Sequence, residues 1–136
     1  MLLPGVFEVF MSLRREWAFV GPTAVKLHES QLMGKRAGNL KTVDVAVHTG
    51  DFPIFYYAAI KLMGFKPSRM MRGMYVFTRG GWTLKVHLLN RLPQVTLYDG
   101  IVPIASLRTL SQRNKSVQRM NKFTTRVRNA TLNNVD

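Results

Sequence analysis

The distribution of charge along the chain is the feature that most restricts what it can fold into. Residues 52–136 contain fourteen lysines and arginines but only two acidic side chains, whereas residues 1–51 contain six cations and five carboxylates. No carboxylate occurs from Phe52 to Tyr98, a stretch with seven cations. Cations closer together than the Debye length of about 8 Å repel one another at physiological salt. A fold keeps such an arrangement when an external polyanion neutralises it, and the candidates are a nucleic acid and an acidic membrane surface.

Length and composition predict a single folded core. The 136 residues suffice for one domain, and 46% apolar residues are too many for a disordered basic tail. The chain has no cysteine, which excludes disulfide scaffolds, thiolate zinc sites and cysteine nucleophiles. No apolar run reaches the roughly 18–20 residues that span a bilayer, so no transmembrane segment is expected. The start of the chain, Met1–Met11, makes a poor secretory signal, and a short mitochondrial presequence stays open.

Alternation of apolar residues and β-branched runs predict the strands. In the first of them Phe7, Val9, Met11 and Leu13 share one face, and glycine-containing turns join the later ones into hairpins. The predicted strands are Gly5–Leu13, Lys41–Val47, Met74–Thr78, Trp82–Leu89, and a hairpin of Gln94–Tyr98 with Ile101–Val102.

Capping signals predict two helices. Asp51 is a good N-cap, Pro53 is tolerated in a first turn, and Gly64 is a good stop. The helix between them, Phe52–Met63, is apolar nearly all round and should therefore be buried on most sides. A shorter helix is predicted over Thr23–Met33.

The predicted fold class is α+β. We expect an antiparallel sheet of about five strands with the Pro53–Met63 helix packed on it, and a connector over Phe65–Arg72. Residues 1–103 would form the globular domain, and residues 104–136 a basic tail that is helical by its apolar spacing.

The sequence offers little for catalysis. Six carboxylates are scattered and predict no converging acid–base pair or magnesium site: Glu8, Glu16, Glu29, Asp44, Asp51 and Asp99. The three histidines, His28, His48 and His87, lie on different elements and are predicted to face solvent. No phosphate-binding loop, nucleophile elbow or dinucleotide fingerprint is present. The sequence therefore predicts a protein that is not an enzyme and needs no metal or cofactor.

Three segments are candidates for binding a polyanion, and the composition of each can also be explained without a ligand. The glycine-punctuated loop 34–38 suits a phosphate or is simply solvated, and the hairpin over 74–89 mixes cations with aromatic residues that fit a core equally well. The basic tail suits acidic lipid or nucleic acid, or only adds solubility. The candidate contacts are Lys35, Arg36, Arg72, Arg79, Trp82, Lys85, Arg108, Arg113, Lys115, Arg119, Lys122, Arg126 and Arg128.

Short motifs resemble three families. Phe7-x-Val9-x-Met11-x-x-Arg14, then Phe19, then Met33-Gly34-Lys35-Arg36 are similar to the start of the core of rhabdovirus matrix proteins. A segment of a Mediator head subunit is similar to residues 43–46, 63–65, 72–73 and 77–80. A basic chain without catalytic groups also suits a mitochondrial ribosomal protein. The matrix resemblance implies a basic shell protein that binds the inner face of a membrane, contacts the nucleocapsid and self-associates.

The leading hypothesis is therefore a non-enzymatic, matrix-like structural protein that forms homo-oligomers and bridges an anionic membrane and ribonucleoprotein in a virion. The second is an RNA-binding ribosomal component, which would place the chain in the mitochondrion. The third is a subunit of a transcription complex.

Overall fold

A computed structural model of the chain describes residues 5–34 and 40–110. The helices are α1 (Val6–Ser12), α2 (Gly21–Met33), α3 (Phe52–Tyr57) and α4 (Leu107–Leu110). A 3₁₀ turn, Thr49–Asp51, precedes α3, and a π-helical turn, Ala58–Leu62, continues it. The strands are β1 (Trp17–Phe19), β2 (Thr42–His48), β3 (Lys66–Met71), β4 (Met74–Arg79), β5 (Trp82–Leu89), β6 (Val95–Tyr98) and β7 (Val102–Ala105).

All seven strands belong to one mixed sheet with the order β3-β4-β5-β2-β1-β7-β6. The central pair, β2 and β5, is parallel, as is the short contact between β1 and β7. The remaining neighbours are antiparallel. The segment between β2 and β5 holds α3 and the β3–β4 hairpin, which is the length of connection that a parallel pair requires.

One face of the sheet, which we call the core face, carries the fully buried valines of β2. The α1 and α3 helices pack on it. The ring of Phe10 lies 5.2 Å from that of Phe55 on α3 and 5.4 Å from that of Trp17 on β1, both edge to face. Tyr75 and Tyr56 extend this aromatic contact to β4 with 5.5 Å between their ring centroids. Burial of these rings supplies most of the apolar area that holds the helices on the sheet.

The second face carries the alternate residues of β2, among them Asp44 and Ala46. The α2 helix lies against this face over β2, β6 and β7. It begins at a left-handed Gly21 and ends at Gly34, which also adopts a left-handed conformation and is typical of a helix stop. Val25 of α2 forms a small apolar contact with Leu107 of α4.

The structure corrects the predicted fold class. The sheet has seven strands and not about five, and it mixes parallel with antiparallel pairs. The added strands are β1, predicted as an apolar plug, and β3, predicted as a connector because of Pro67. Proline is tolerated on β3 because that strand lies at the sheet edge, where a missing N–H breaks no ladder bond. Of the predicted C-terminal basic helix, the described residues include only the short α4, Leu107–Leu110, and the rest of the predicted tail lies outside them.

The first predicted strand, Gly5–Leu13, is also wrong, because those residues form α1. Several other elements are confirmed to within a few residues. They are the helix ending at Met33, the β2 strand, the helix after Asp51, the β4–β5 hairpin and the β6–β7 hairpin.

Candidate functional site

A buried carboxylate occupies the middle of β2 on the second face. Asp44 is only 6% exposed, and both its backbone and its side chain are held in place. Its N–H donates to Thr23 Oγ1 at 2.8 Å, and its C=O accepts from the Val20 N–H at 3.0 Å. The Thr23 hydroxyl also lies 3.5 Å from Asp44 Oδ2, and His87 Nε2 lies 3.0 Å from Oδ1. The short contact on Oδ1 and the longer one on Oδ2 together orient the carboxylate.

The start of α2 is fitted closely against this carboxylate. Gly21 has φ +54°, a conformation that favours glycine, and a Cβ placed there would lie 3.8 Å from the Asp44 Cγ. Pro22 follows and sets the first helical turn, although it lacks an N–H. The positive end of the α2 dipole and Thr23 therefore both lie at Asp44, where they favour negative charge.

His87 completes the pair from the neighbouring strand β5. A carboxylate only accepts hydrogen bonds, so the Nε2 of His87 carries the hydrogen in the contact with Asp44. The second ring nitrogen, Nδ1, is then the basic one. The side chain of His87 is 32% exposed, so a ligand on this face can reach it. An imidazole oriented by a buried carboxylate is the arrangement that general bases use.

The second face is open over β3, β4 and β5, and we call this region the open strip. Its residues lie in three cross-strand rows, each of which ends on β2. They are Lys66, Thr78 and Thr83 leading to Thr42; Arg69, Val76 and Lys85 leading to Asp44; and Met71, Met74 and His87 leading to Ala46. Apart from Val76, the strip residues of β3–β5 are exposed or half-buried. Lys85 is the register partner of Asp44 on β5, so the two side chains share this face of the sheet.

The site does not fit a protein-held pair of metal ions. Such a pair needs several converging carboxylates, and within residues 5–34 and 40–110 no group of three or more metal-ligating side chains converges. The next residue of β2 on the same face is Ala46, which is fully buried and has no ligand atom. Among the described strand residues of this face, Asp44 alone carries a carboxylate, and one of its oxygens accepts a hydrogen bond from His87.

A separate groove of about 1180 Å³ lies beyond the carboxyl end of β2. Its lining mixes apolar residues of the β6–β7 hairpin, such as Leu97 and Ile101, with the ion pair of Arg15 and Asp51, 4.0 Å apart. His48, at the end of β2, reaches it from the second face.

The predicted polyanion contacts are only partly brought together. Lys85 lies on the open strip. Arg79 and Trp82 are cross-strand partners, but both belong to the core face: Arg79 Nη1 donates to the Met63 carbonyl at 3.1 Å, and Lys41 Nζ lies 4.2 Å from the Trp82 ring centroid. Arg72 and Arg108 are exposed, on the β3–β4 turn and on α4. The other eight predicted contacts lie outside the described residues: Lys35, Arg36, Arg113, Lys115, Arg119, Lys122, Arg126 and Arg128.

The prediction of solvent-facing histidines is wrong for His28. This side chain is 5% exposed, and its Nε2–H donates to the Ala105 carbonyl at 2.8 Å. Desolvation lowers the pKa of His28 below the ordinary 6.5, and the hydrogen bond to Ala105 offsets part of that decrease. His28 therefore joins α2 to β7 as a neutral imidazole.

The backbone is similar to that of an enzyme. The lincosamide antibiotic adenylyltransferase LnuA, in its lincomycin-bound crystal structure, superposes with a TM-score of 0.64 over 87% of this chain and 93% of that chain, at 12% sequence identity. No protein-family model matches the chain, and no curated protein matches it. At this identity the likeness shows a shared fold and nothing more.

This likeness corrects the functional predictions. The predicted non-enzymatic, matrix-like structural function is wrong, because the structure that this chain resembles is that of an adenylyltransferase. The prediction that the chain is not an enzyme is wrong for the same reason, and the ribosomal and transcription-complex alternatives are abandoned with it. The comparisons do not bear on the short-motif resemblance to matrix proteins or on self-association. Across the described ranges, no helix has the length and apolar character needed to cross a bilayer.

Proposed function

We propose that the protein is a nucleotidyltransferase that binds a nucleoside triphosphate beside Asp44 and transfers its nucleotidyl group to an acceptor hydroxyl. The observation that carries this proposal is the pair of the buried Asp44 and the accessible His87, set against the start of α2 on an open sheet face. The likeness to an adenylyltransferase supports it.

The pair supplies the proton transfer that such a reaction needs. The acceptor hydroxyl gives its proton to His87 Nδ1 as its oxygen forms a bond to the α-phosphorus. The bond between that phosphorus and the bridging oxygen to the β-phosphorus breaks, and pyrophosphate leaves. Asp44 holds the imidazole in the required tautomer and stabilises the imidazolium that forms. General-base catalysis of this kind contributes about 10²–10⁴-fold.

Two features favour the triphosphate itself. Lys85 lies beside Asp44 in register and is half-buried, so its ammonium can form charge-assisted hydrogen bonds to phosphate oxygens. The α2 dipole presents its positive end at the same place. The fixed positions of Asp44 and Thr23 mean that little reorganisation accompanies the reaction.

The proposal is tested by separating binding from turnover. A fluorescent nucleoside triphosphate measures equilibrium binding to the full chain with Mg²⁺ present, and pyrophosphate release is measured with each of the four nucleoside triphosphates and a mixture of RNA and small alcohols as acceptors. We expect Lys85→Gln to weaken binding about tenfold or more, because a hydrogen bond to a charged group contributes about 1.5–3 kcal/mol. His87→Ala should leave binding nearly intact and reduce pyrophosphate release by about 10²-fold or more.

His48→Ala is the matched control, since His48 is an exposed histidine at the end of β2, the strand that carries Asp44. It should change neither quantity by more than about twofold. A wild-type chain that binds none of the four nucleotides would refute the proposal. So would a His87→Ala variant that releases pyrophosphate at the wild-type rate.

A further inference from the structure

We infer that the acceptor is the end of a single-stranded nucleic acid, which lies across the open strip with its terminal hydroxyl at His87. This inference rests on the proposed function for the role of His87. The cations of the strip also predict nucleic-acid binding, and this second prediction does not depend on the proposed function.

The cations of the strip lead away from the catalytic pair in an ordered way. Arg69, Val76, Lys85 and Asp44 are successive partners across β3, β4, β5 and β2. With neighbouring strands about 4.8 Å apart, this row runs about 14 Å from β2, which carries Asp44, to β3, which carries Arg69. Lys66 lies on the same face in the adjacent row, opposite Thr78. Among the described strip residues of β3–β5 no side chain is acidic.

A β-bulge sets the direction of these cations. Lys66 and Arg69 are three residues apart, so in a regular strand they would point to opposite faces. The register of β3 shifts between Pro67 and Arg69, and both cations are therefore paired with residues of the second face, Thr78 and Val76. Bulges commonly re-aim side chains next to active sites.

Protection of a sheet edge would not require this arrangement. Cations, proline and bulges do discourage edge-to-edge aggregation, but a charge on either face of β3 would serve that purpose equally. The bulge instead directs Lys66 and Arg69 to the face that holds Asp44 and His87. Val76, between Arg69 and Lys85 in its row, is 4% exposed, which agrees with long aliphatic stems lying over it.

The chemistry of the acceptor follows from what it must present. It has to bring a hydroxyl to His87 while it offers negative charges to Arg69 and Lys66. The end of a nucleic acid strand carries a ribose hydroxyl and a regular series of phosphates, so it meets both needs. After Asp51 the chain has fourteen cations and two carboxylates, a surplus of twelve cations. This surplus would attract the phosphates of a nucleic acid over a long range.

The test is the salt dependence of binding of a fluorescein-labelled, 12-nucleotide single-stranded RNA and of its DNA counterpart to the full chain, without nucleotide. Each phosphate contact to a single strand contributes about 0.7 to the slope of log K against log salt concentration. Lys66→Gln combined with Arg69→Gln should therefore reduce the slope by about 1.4. The control pair, Lys26→Gln with Lys61→Gln, removes the same charge from exposed helical positions and should leave the slope unchanged.

A second measurement locates the strand end. An RNA with 4-thiouridine at its terminus should crosslink within residues 66–87 in the wild-type chain.

The inference is overturned if both double variants change the slope equally, if neither does, or if the crosslinks fall outside that range. It is also overturned if the Lys66/Arg69 variant keeps its RNA slope but loses flotation with phosphatidylserine vesicles, which would assign the strip to a membrane surface. Should the slope fall as expected while the wild-type chain binds no nucleoside triphosphate, the proposed function fails and the strip remains a nucleic-acid surface.

Discussion

Truncation of Phe10 tests whether residues 6–12 are a helix, and two neighbouring positions give opposite answers for helix and strand. In α1, Val6 and Phe10 are buried at a spacing of four residues, whereas Met11 is 46% exposed. A strand with Phe7, Val9, Met11 and Leu13 inward would bury Met11 and expose Phe10. Phe10→Ala and Met11→Ala therefore form a matched pair.

The magnitudes follow from the burial of each side chain. Phe10 is fully buried between the rings of Trp17 and Phe55, and an aromatic side chain buries about 150–250 Å². At about 25 cal/mol per Å² this area is worth about 4–6 kcal/mol as an upper estimate, and core truncations of this type cost about 3–5 kcal/mol. Met11→Ala should cost about 1 kcal/mol at most, because half of its surface already meets water.

Equilibrium unfolding in urea, followed by tryptophan fluorescence, measures both values. A domain with about 5–15 kcal/mol of stability does not always survive the larger loss, so Phe10→Leu, with an expected cost of about 1–2 kcal/mol, provides a variant that stays folded. A larger loss from Met11→Ala than from either Phe10 variant would show that the segment is a strand after all.

Two further predictions concern buried polar groups. Burial lowers the pKa of His28, so below the ordinary pKa of 6.5 the unfolded chain binds a proton more readily than the folded chain. The stabilising effect of neutral His28 is complete above that pH and is lost as the pH falls, with a slope of at most about 1.4 kcal/mol per pH unit. Between pH 5 and 8 the urea midpoint should depend less on pH in His28→Gln than in the wild-type chain, and an unchanged pH dependence would contradict the assignment. Thr23→Val removes the acceptor for the Asp44 N–H and should cost about 1–3 kcal/mol, whereas Thr23→Ser should keep most of the stability. Equal unfolding midpoints for the serine and valine variants would exclude that role for the hydroxyl.

Elements with local signals could be predicted from the sequence, and elements set by distant contacts could not. The helix after Asp51 has a proline, a continuous apolar surface and a glycine stop, and it forms within one residue of its expected start. The α1 segment is too short for its periodicity to distinguish a helix from a strand, since apolar residues occur both at alternate positions and four residues apart. Its helical form depends on Phe55 and Trp17, which lie far along the chain or beyond a turn.

The same limit applies to the parallel pairing of β2 with β5, which thirty or more residues separate. Tight turns identify hairpins, and the two hairpins at 74–89 and 95–105 were predicted in this way. A parallel neighbour leaves no such mark in the sequence, and an antiparallel sheet was therefore the natural extrapolation.

The candidate site contained one usable signal that the pattern analysis missed. Asp44 interrupts the valines of the predicted strand Lys41–Val47, and ionised carboxylates are rarely buried without a specific partner. Its partners could not be deduced, because Thr23 is 21 residues away and His87 is 43 residues away. Lys85 was identified as a polyanion contact, but its position beside Asp44 depends on the β2–β5 register.

The single carboxylate and the surplus of cations belong to one electrostatic arrangement. A cluster of carboxylates repels phosphate unless bound cations neutralise it, whereas Asp44 is one charge, bonded to His87 and adjacent to Lys85. With Ala46 in the neighbouring position, the strip as a whole is positive, and Lys66 and Arg69 extend that potential to the sheet edge. An acceptor with many phosphates is then attracted along the full width of β3–β5, and only its last hydroxyl meets the carboxylate-oriented imidazole. Ala46 and the β3 bulge thus both favour a positive potential on this face. Ala46 adds no negative charge next to the Asp44–His87 pair, and the bulge places two cations, Lys66 and Arg69, on the strand that leads to it.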